Sequence, residues 1–211
     1  MNKIKFTFDA FNNQAQEYQD KFMNLNLYDE SYDLFYSHIT KKKSDILDIG
    51  CGPGNITRYL LDKRPDFKIT GIDLAPNMLD LAKKNNPAAE FLLMDCRNIN
   101  SIKKKFDGIV IGFCIPYLSK NECAKLISDC KKLLNENGTL YFSVIEGNYN
   151  DSGFQTSSND KGKAFVHYYD EIYINSLLEK NDFDLYTFLR IDYEKSADHE
   201  LKHIVFIARK K

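Results

Sequence analysis

The stretch SDILDIGCGPGNITRYL, Ser44 to Leu60, decides the fold. Its apolar run Ile46 to Ile49 ends in Gly50, Gly52 and Gly54 at alternate positions, and the spacing of Ile56, Tyr59 and Leu60 that follows is helical. A strand, a tight turn and the start of a helix are expected. Glycine suits such a turn because it accepts positive φ and, lacking a Cβ, lets a ligand approach the backbone. The N–H groups that open a helix have no partner within it and attract negative charge. The turn is therefore expected to hold a small anionic or zwitterionic ligand.

Working outward, apolar runs recur at Ile69 to Ile72, Phe91 to Met94, Ile109 to Phe113 and Thr139 to Ile145. Near-continuous apolar runs are what parallel strands covered on both faces require. Helical patterns lie between them at Asn55 to Asp62, Pro76 to Asn85, Asn98 to Lys105 and Lys120 to Leu134, with Asn137-Gly138 closing the last. A further helix is expected over Tyr169 to Leu178, and final strands over Phe183 to Asp192 and His203 to Arg209. The link Tyr193 to Lys202 is too short for the crossover that parallel neighbours need, so these two strands should pair antiparallel. The fold class is α/β: an open seven-stranded sheet, mostly parallel, with an antiparallel strand near the C-terminal edge and helices on both faces.

The polar segment Glu146 to Lys163 lacks periodicity and reads as a long loop. Ahead of the sheet, Phe8, Phe11, Ala15, Tyr18 and Phe22 alternate steps of three and four, and Tyr28, Tyr32, Phe35 and Tyr36 repeat the pattern. Two helices within residues 1–40 are expected to cap a core of residues 45–211, the whole forming a single domain of 211 residues.

In an open α/β sheet, ligands bind beyond the carboxyl ends of the strands, so the residues that follow each strand are informative. After the second strand comes Asp73, where an acidic side chain can accept both ribose hydroxyls of a nucleoside. After the third comes Asp95, and around the end of the fourth come Gly112, Phe113 and Cys114. One acid after a strand is commonplace and more often caps a helix. A glycine turn with two acids at one sheet edge supports an adenosine-containing cofactor.

The segments ILDIGCGPG (46–54), GIDLAPNML (71–79) and FLLMDC (91–96) resemble the motifs of class I S-adenosylmethionine-dependent methyltransferases, a Rossmann-like family that also ends in an antiparallel strand pair. The resemblance covers Asp45 to Arg209. It implies that the cofactor is S-adenosyl-L-methionine and the product S-adenosyl-L-homocysteine. It also implies that Gly50, Gly52 and Gly54, with Asp48 and Cys51, lie at the methionine part. Asp73 and Leu74 would sit at the ribose, and Asp95 with Cys96 at the adenine. Met78 and Phe113 become apolar walls, and Tyr18 closes over the cofactor carboxylate. Two alternatives stay open: a partner subunit that binds the cofactor without catalysis, and an NAD-dependent oxidoreductase. The dinucleotide fingerprint, however, wants glycine where Asn55 stands.

A sulfonium cofactor carries an activated methyl group, so the protein's task would be to align a nucleophile with it. A base is needed only if that nucleophile arrives protonated. His167 is the candidate base, Tyr168 and Tyr117 the candidates to orient a substrate, and Glu146 a further pocket acid. Cys114-Ile115-Pro116-Tyr117 departs from the Asn/Asp-Pro-Pro-aromatic pattern of methyltransferases acting on nucleobase amino groups, which argues against DNA adenine methylation. Lys+Arg of 29 against Asp+Glu of 30 gives a charge of -1 and no general drive toward polyanions, so no nucleic acid is expected as partner. A small-molecule methyl acceptor is expected instead; the oligomeric state leaves no trace in the sequence.

His199-Glu200-Leu201-Lys202-His203 matches the HExxH zinc pattern, but its histidines share a metal only on a helix. Here the segment opens a strand, where such residues lie about 13 Å apart; it reads as a solvated turn, and no metal is expected. Lys41 to Lys43 and Lys103 to Lys105 are expected at the sheet edge away from the site. Five cysteines without a Cys-x-x-Cys pair, no leader-like segment and no run long enough to span a membrane point to a cytoplasmic protein with reduced thiols.

Overall fold

The computed structural model describes residues 3–156, 162–196 and 199–211. Its centre is the expected strand, turn and helix: β1 (Asp45–Ile49), three glycines, and α4 (Asn55–Lys63). The parallel strands β2 (Lys68–Asp73), β3 (Glu90–Leu93), β4 (Phe106–Ile111) and β5 (Leu134–Ile145) complete one half of the sheet. The long strands β8 (Phe183–Ser196) and β9 (His199–Lys210) close it. The order is β3-β2-β1-β4-β5-β9-β8, with β9 antiparallel to both neighbours. Strand order reverses between β1 and β4, which opens a crevice at their carboxyl ends.

Helices α5 (Pro76–Asn85), α6 (Lys120–Leu133) and α7 (Glu171–Lys180) cross between strands. One apolar layer sets Ile109, Ile111, Leu140 and Phe142 against Leu126, Ile127, Leu177 and Leu178 of α6 and α7. The other sets Ile46, Val110, Tyr141 and Val205 against α4 and the N-terminal aromatics. Burial on both sides explains why these strands read as unbroken apolar runs. Lys41 pairs with Asp107 and Lys104 with Asp45, at the strand starts and away from the crevice.

The structure departs from the sequence expectations in several places. The N-terminal region forms three helices, α1 (Lys3–Asn13), α2 (Ala15–Phe22) and α3 (Asp29–Ser37), because the helix that the aromatic spacing predicts is interrupted at Gln14. Phe8, Phe11 and Tyr18 nevertheless pack together against Ala75 and Met78 of the α5 region. Asn98 to Lys105 is not an α-helix; a single 3-10 segment, Cys96–Ser101, follows Asp95, whose side chain caps it by accepting the Arg97 N–H. Asn137-Gly138 lies inside β5 at an irregular register, with Asn137 at φ +62, and α6 ends earlier.

The expected loop 146–163 carries regular structure. It holds a 3-10 turn (Tyr149–Asp151) and an antiparallel hairpin, β6 (Gly153–Thr156) with β7 (Lys163–Val166), where Phe154 and Phe165 pair edge to face at 5.2 Å. Residues 157–161 lie outside the described residues. The last two strands run on through most of the expected link, and 197–198 lie outside the described residues. His199 to His203 is therefore strand rather than turn, and His203 is buried.

Candidate functional site

The turn after β1 takes positive φ at all three glycines, from +54 to +83. A Cβ on Gly54 would lie 2.3 Å from Asn86 Nδ2, so this glycine is fixed by packing. A Cβ on Gly52 would meet only Tyr18 Cε1 at 3.7 Å and Met78 Sδ at 4.0 Å, ordinary van der Waals contacts, and Gly52 lines a cavity at this sheet edge. The backbone donors of the turn are engaged inside the protein. Gly50 and Cys51 N–H donate to Ile72 O at 2.8 and 3.0 Å, Gly52 N–H to Asp73 Oδ2 at 2.9 Å, and Gly54 N–H to Cys51 O at 2.9 Å. The turn thus contributes close approach to backbone rather than free donors.

Gly50, Gly52, Asp73, Leu74, Met78, Asp95, Cys96 and Phe113 all line one cavity of about 160 Å³ at the carboxyl ends of β1 to β4, with Tyr18 across it. Asp73 is a clip as well as a wall: Oδ2 accepts Gly52 N–H and Oδ1 accepts Ala75 N–H at 2.8 Å. Burial raises its pKa, and these backbone donors offset part of the rise. The two carboxylate oxygens together offer about four acceptor sites, more than the backbone donors of Gly52, Leu74 and Ala75 occupy. Asp95 is held by Arg97, whose Nε lies 2.9 and 3.0 Å from its two oxygens and whose Nη1 reaches Glu122 at 3.3 Å. Burial alone would raise the Asp95 pKa; the Arg97 hydrogen bonds outweigh it and the net direction is down. Glu122 also closes the capping box of α6 with Ser119, so the acid of this cavity is anchored to a helix start.

Three of the expected residues stand behind this wall. Cys51 packs with Leu79, Ala82 and Phe91, and Gly54 lines neither this cavity nor the one beside it. Asp48 is fully buried beneath the turn: Oδ2 accepts the Thr57 hydroxyl at 2.7 Å and Oδ1 has no partner among the described residues. Burial, with Asp73 adding repulsion, raises its pKa to about 7.

The second cavity, of about 280 Å³, adjoins the first and shares Phe11, Tyr18, Phe113 and Tyr117 with it. Its walls come from α1, α2, the hairpin β6–β7 and the ends of β8 and β9. Phe113 stands at φ +57, a conformation unusual for a bulky residue, with its N–H held by Ser143 Oγ at 2.9 Å. Tyr117 packs edge to face on Phe11 at 4.9 Å, and burial raises the pKa values of Tyr18 and Tyr117, so both keep their protons at neutral pH.

His203 on β9 also lines the second cavity and is the residue that sequence reasoning misses. Its Nδ1 is 2.7 Å from Tyr28 Oη, and its ring stacks on Tyr193 with centroids 5.2 Å apart. A signal is present: in HIVFIAR, His203 opens the buried run of β9. His167 and Tyr168 line neither cavity. His167 packs between Tyr149 and Phe165, and burial lowers its pKa; the Tyr168 hydroxyl accepts from Gln155 Nε2. Glu146 pairs with Arg190 at 3.1 Å and lines neither cavity. Arg97 and Met94, also unpredicted, line the first.

Residues 46–138 match the family model described as a methyltransferase domain. The chain is 30% identical over 199 residues to a protein of Geobacillus sp. (strain WCH70) that bears a methyltransferase name, covering 87% of this chain and 77% of that one. It is 33% identical over 108 residues to the malonyl-[acyl-carrier protein] O-methyltransferase of Acetivibrio thermocellus, covering 50% of this chain; the chain spans between 37% and 41% of the length of this and three other curated relatives. Among solved structures, the 1,6-didemethyltoxoflavin-N1-methyltransferase of Burkholderia thailandensis shares the fold with TM-score 0.74 at 18% identity, over 99% of this chain and 88% of that one. With the sheet order, the glycine turn and the two acids in place, the chain belongs to the class I S-adenosylmethionine-dependent methyltransferase family.

Proposed function

We propose that this protein binds S-adenosylmethionine in the smaller cavity and transfers its methyl group to a small molecule held in the larger one. The observation that carries this reading is the pair of adjoining cavities, one polar at Asp73 and Asp95, the other aromatic, with Tyr18, Phe113 and Tyr117 common to both. The residues fit the cofactor. Gly52 leaves backbone open to the cavity where any Cβ would intrude, Asp73 has lone pairs for two hydroxyls, and Met78 and Phe113 supply apolar walls. The bound cofactor supplies an activated methyl group and a thioether leaving group.

The remaining work belongs to the chain. Asp73 would hold the ribose hydroxyls, Asp95 oriented by Arg97 would meet the adenine end, and the rings of Phe11, Tyr18, Phe113 and Tyr117 would exclude water from the junction. Tyr117, protonated and at that junction, is the residue proposed to orient the acceptor. A small-molecule acceptor accords with the relative that methylates 1,6-didemethyltoxoflavin, and with a cavity roofed by helices α1 and α2 and one hairpin.

The test is Asp73→Ala. Losing a charged acceptor for two hydroxyls should weaken S-adenosylhomocysteine binding by about tenfold or more in calorimetry. Because Asp73 also accepts two backbone N–H groups, a modest drop in melting temperature is expected as well. Unchanged affinity in the folded variant would remove the ribose assignment.

A further inference from the structure

His203 is a buried imidazole that the fold uses by halves. One nitrogen, Nδ1, is engaged by Tyr28 at 2.7 Å; the other, Nε2, is buried with no hydrogen-bond partner among the described residues. The residue is 5% exposed and lines the larger cavity. Burial lowers its pKa to about 4, and no carboxylate among the described residues restores the charge, so the ring is neutral at neutral pH. A buried polar nitrogen left unpaired is destabilising. A ligand hydroxyl that reaches this nitrogen from the cavity would complete it.

The chemistry of the surroundings narrows the ligand. His203 is flanked by Tyr28, Tyr193 and Phe113, with ring centroids 5.1 to 6.0 Å away, and Tyr18 and Phe22 continue the same wall. Such walls favour a flat ring that can stack or meet them edge to face. Among the described residues of the lining, the charged ones are Glu17 and Lys21, of opposite sign. A neutral imidazole beside Tyr28 can present either a lone pair or an N–H at Nε2, depending on tautomer, and a hydroxyl is the group that answers both.

We infer that His203 is an acceptor-binding residue, positioned by Tyr28, and that the molecule it anchors is a planar aromatic ring carrying a hydroxyl group. This rests on the larger cavity being the acceptor site of the proposed methyl transfer, and the experiment separates the two claims. Wild-type protein is titrated by fluorescence with 2-naphthol and with 2-methylnaphthalene, which matches it in shape but has no hydroxyl, and in parallel by calorimetry with S-adenosylhomocysteine.

Wild type should bind 2-naphthol about tenfold or more tightly than 2-methylnaphthalene. His203→Phe should keep the ring wall, bind both probes equally and leave S-adenosylhomocysteine affinity unchanged, which also reports that it is folded. His203→Gln, with a donor and an acceptor at its tip, should recover part of the preference; Tyr28→Phe, which frees the ring to rotate, should reduce it. No naphthol binding, equal binding of both probes by wild type, or an undiminished preference in His203→Phe would overturn the inference. Loss of S-adenosylhomocysteine binding by wild type with the naphthol preference intact would instead strike the methyl-transfer reading and leave the hydroxyl anchor standing.

Discussion

At the scale of single residues, Asp48 shows that the binding edge of the sheet is held at a cost in stability. The carboxyl group lies under the glycine turn with one oxygen on Thr57 and the other unpartnered among the described residues, and burial raises its pKa from 3.8 to about 7. As pH rises past about 4 the unfolded chain releases this proton while the folded protein retains it, until about pH 7. The native state binds the extra proton in that window, so this group makes stability fall as pH rises through it and level off above. A tenfold difference in proton affinity between the two states is worth about 1.4 kcal/mol, so the total is on the order of a few kcal/mol. Asp48→Asn, neutral at every pH and able to keep the Thr57 contact, should be more stable than wild type at pH 8 and nearly equal at pH 4. Denaturant unfolding at the two pH values measures this, and a constant difference would show that Asp48 ionises normally.

At the scale of elements, the three glycines of the turn have separable tasks. Gly54→Ala would bring Cβ to 2.3 Å from Asn86 Nδ2 at a φ of +83, and should cost roughly 1–3 kcal/mol of stability. Gly52→Ala meets no atom closer than 3.7 Å and carries mainly backbone strain, but its methyl group enters the cavity. It should lose more S-adenosylhomocysteine affinity than stability, and Gly54→Ala the reverse, as melting curves and calorimetry would report. The turn is legible in the sequence because glycine spacing and the flanking apolar runs are local. The hairpin β6–β7 is not: its strands are four residues each, half-exposed, and set in a segment rich in glycine, serine and asparagine, so no period emerges. The 3-10 segment after Asp95 reads as an α-helix in the sequence because what fixes it is tertiary, the Asp95–Arg97–Glu122 chain that ties its start to α6.

At the scale of the molecule, the parallel half of the sheet can be read from its apolar runs, and the antiparallel end from the shortness of the link before β9. The residues proposed to hold the cofactor, among them Gly52, Asp73, Asp95 and Phe113, are brought to one cavity because each follows or ends a strand at the same sheet edge. The proposed acceptor side is harder. His203 depends on Tyr28, 175 residues earlier, and on rings from β8 and the Phe113 turn, none of which marks it in the sequence. His167 and Tyr168 have residue types suited to catalysis and the right neighbourhood in the chain, yet the hairpin they follow turns them into packing against Tyr149 and Gln155.

The claim on which the rest depends is that the smaller cavity takes a sulfur nucleoside. Calorimetric titration of the wild-type protein with S-adenosylmethionine, S-adenosylhomocysteine and NAD tests it most directly. One-site binding of both sulfur nucleosides is expected, with no competition from NAD; binding of NAD with no heat from either sulfur nucleoside would rule out a sulfur-nucleoside site.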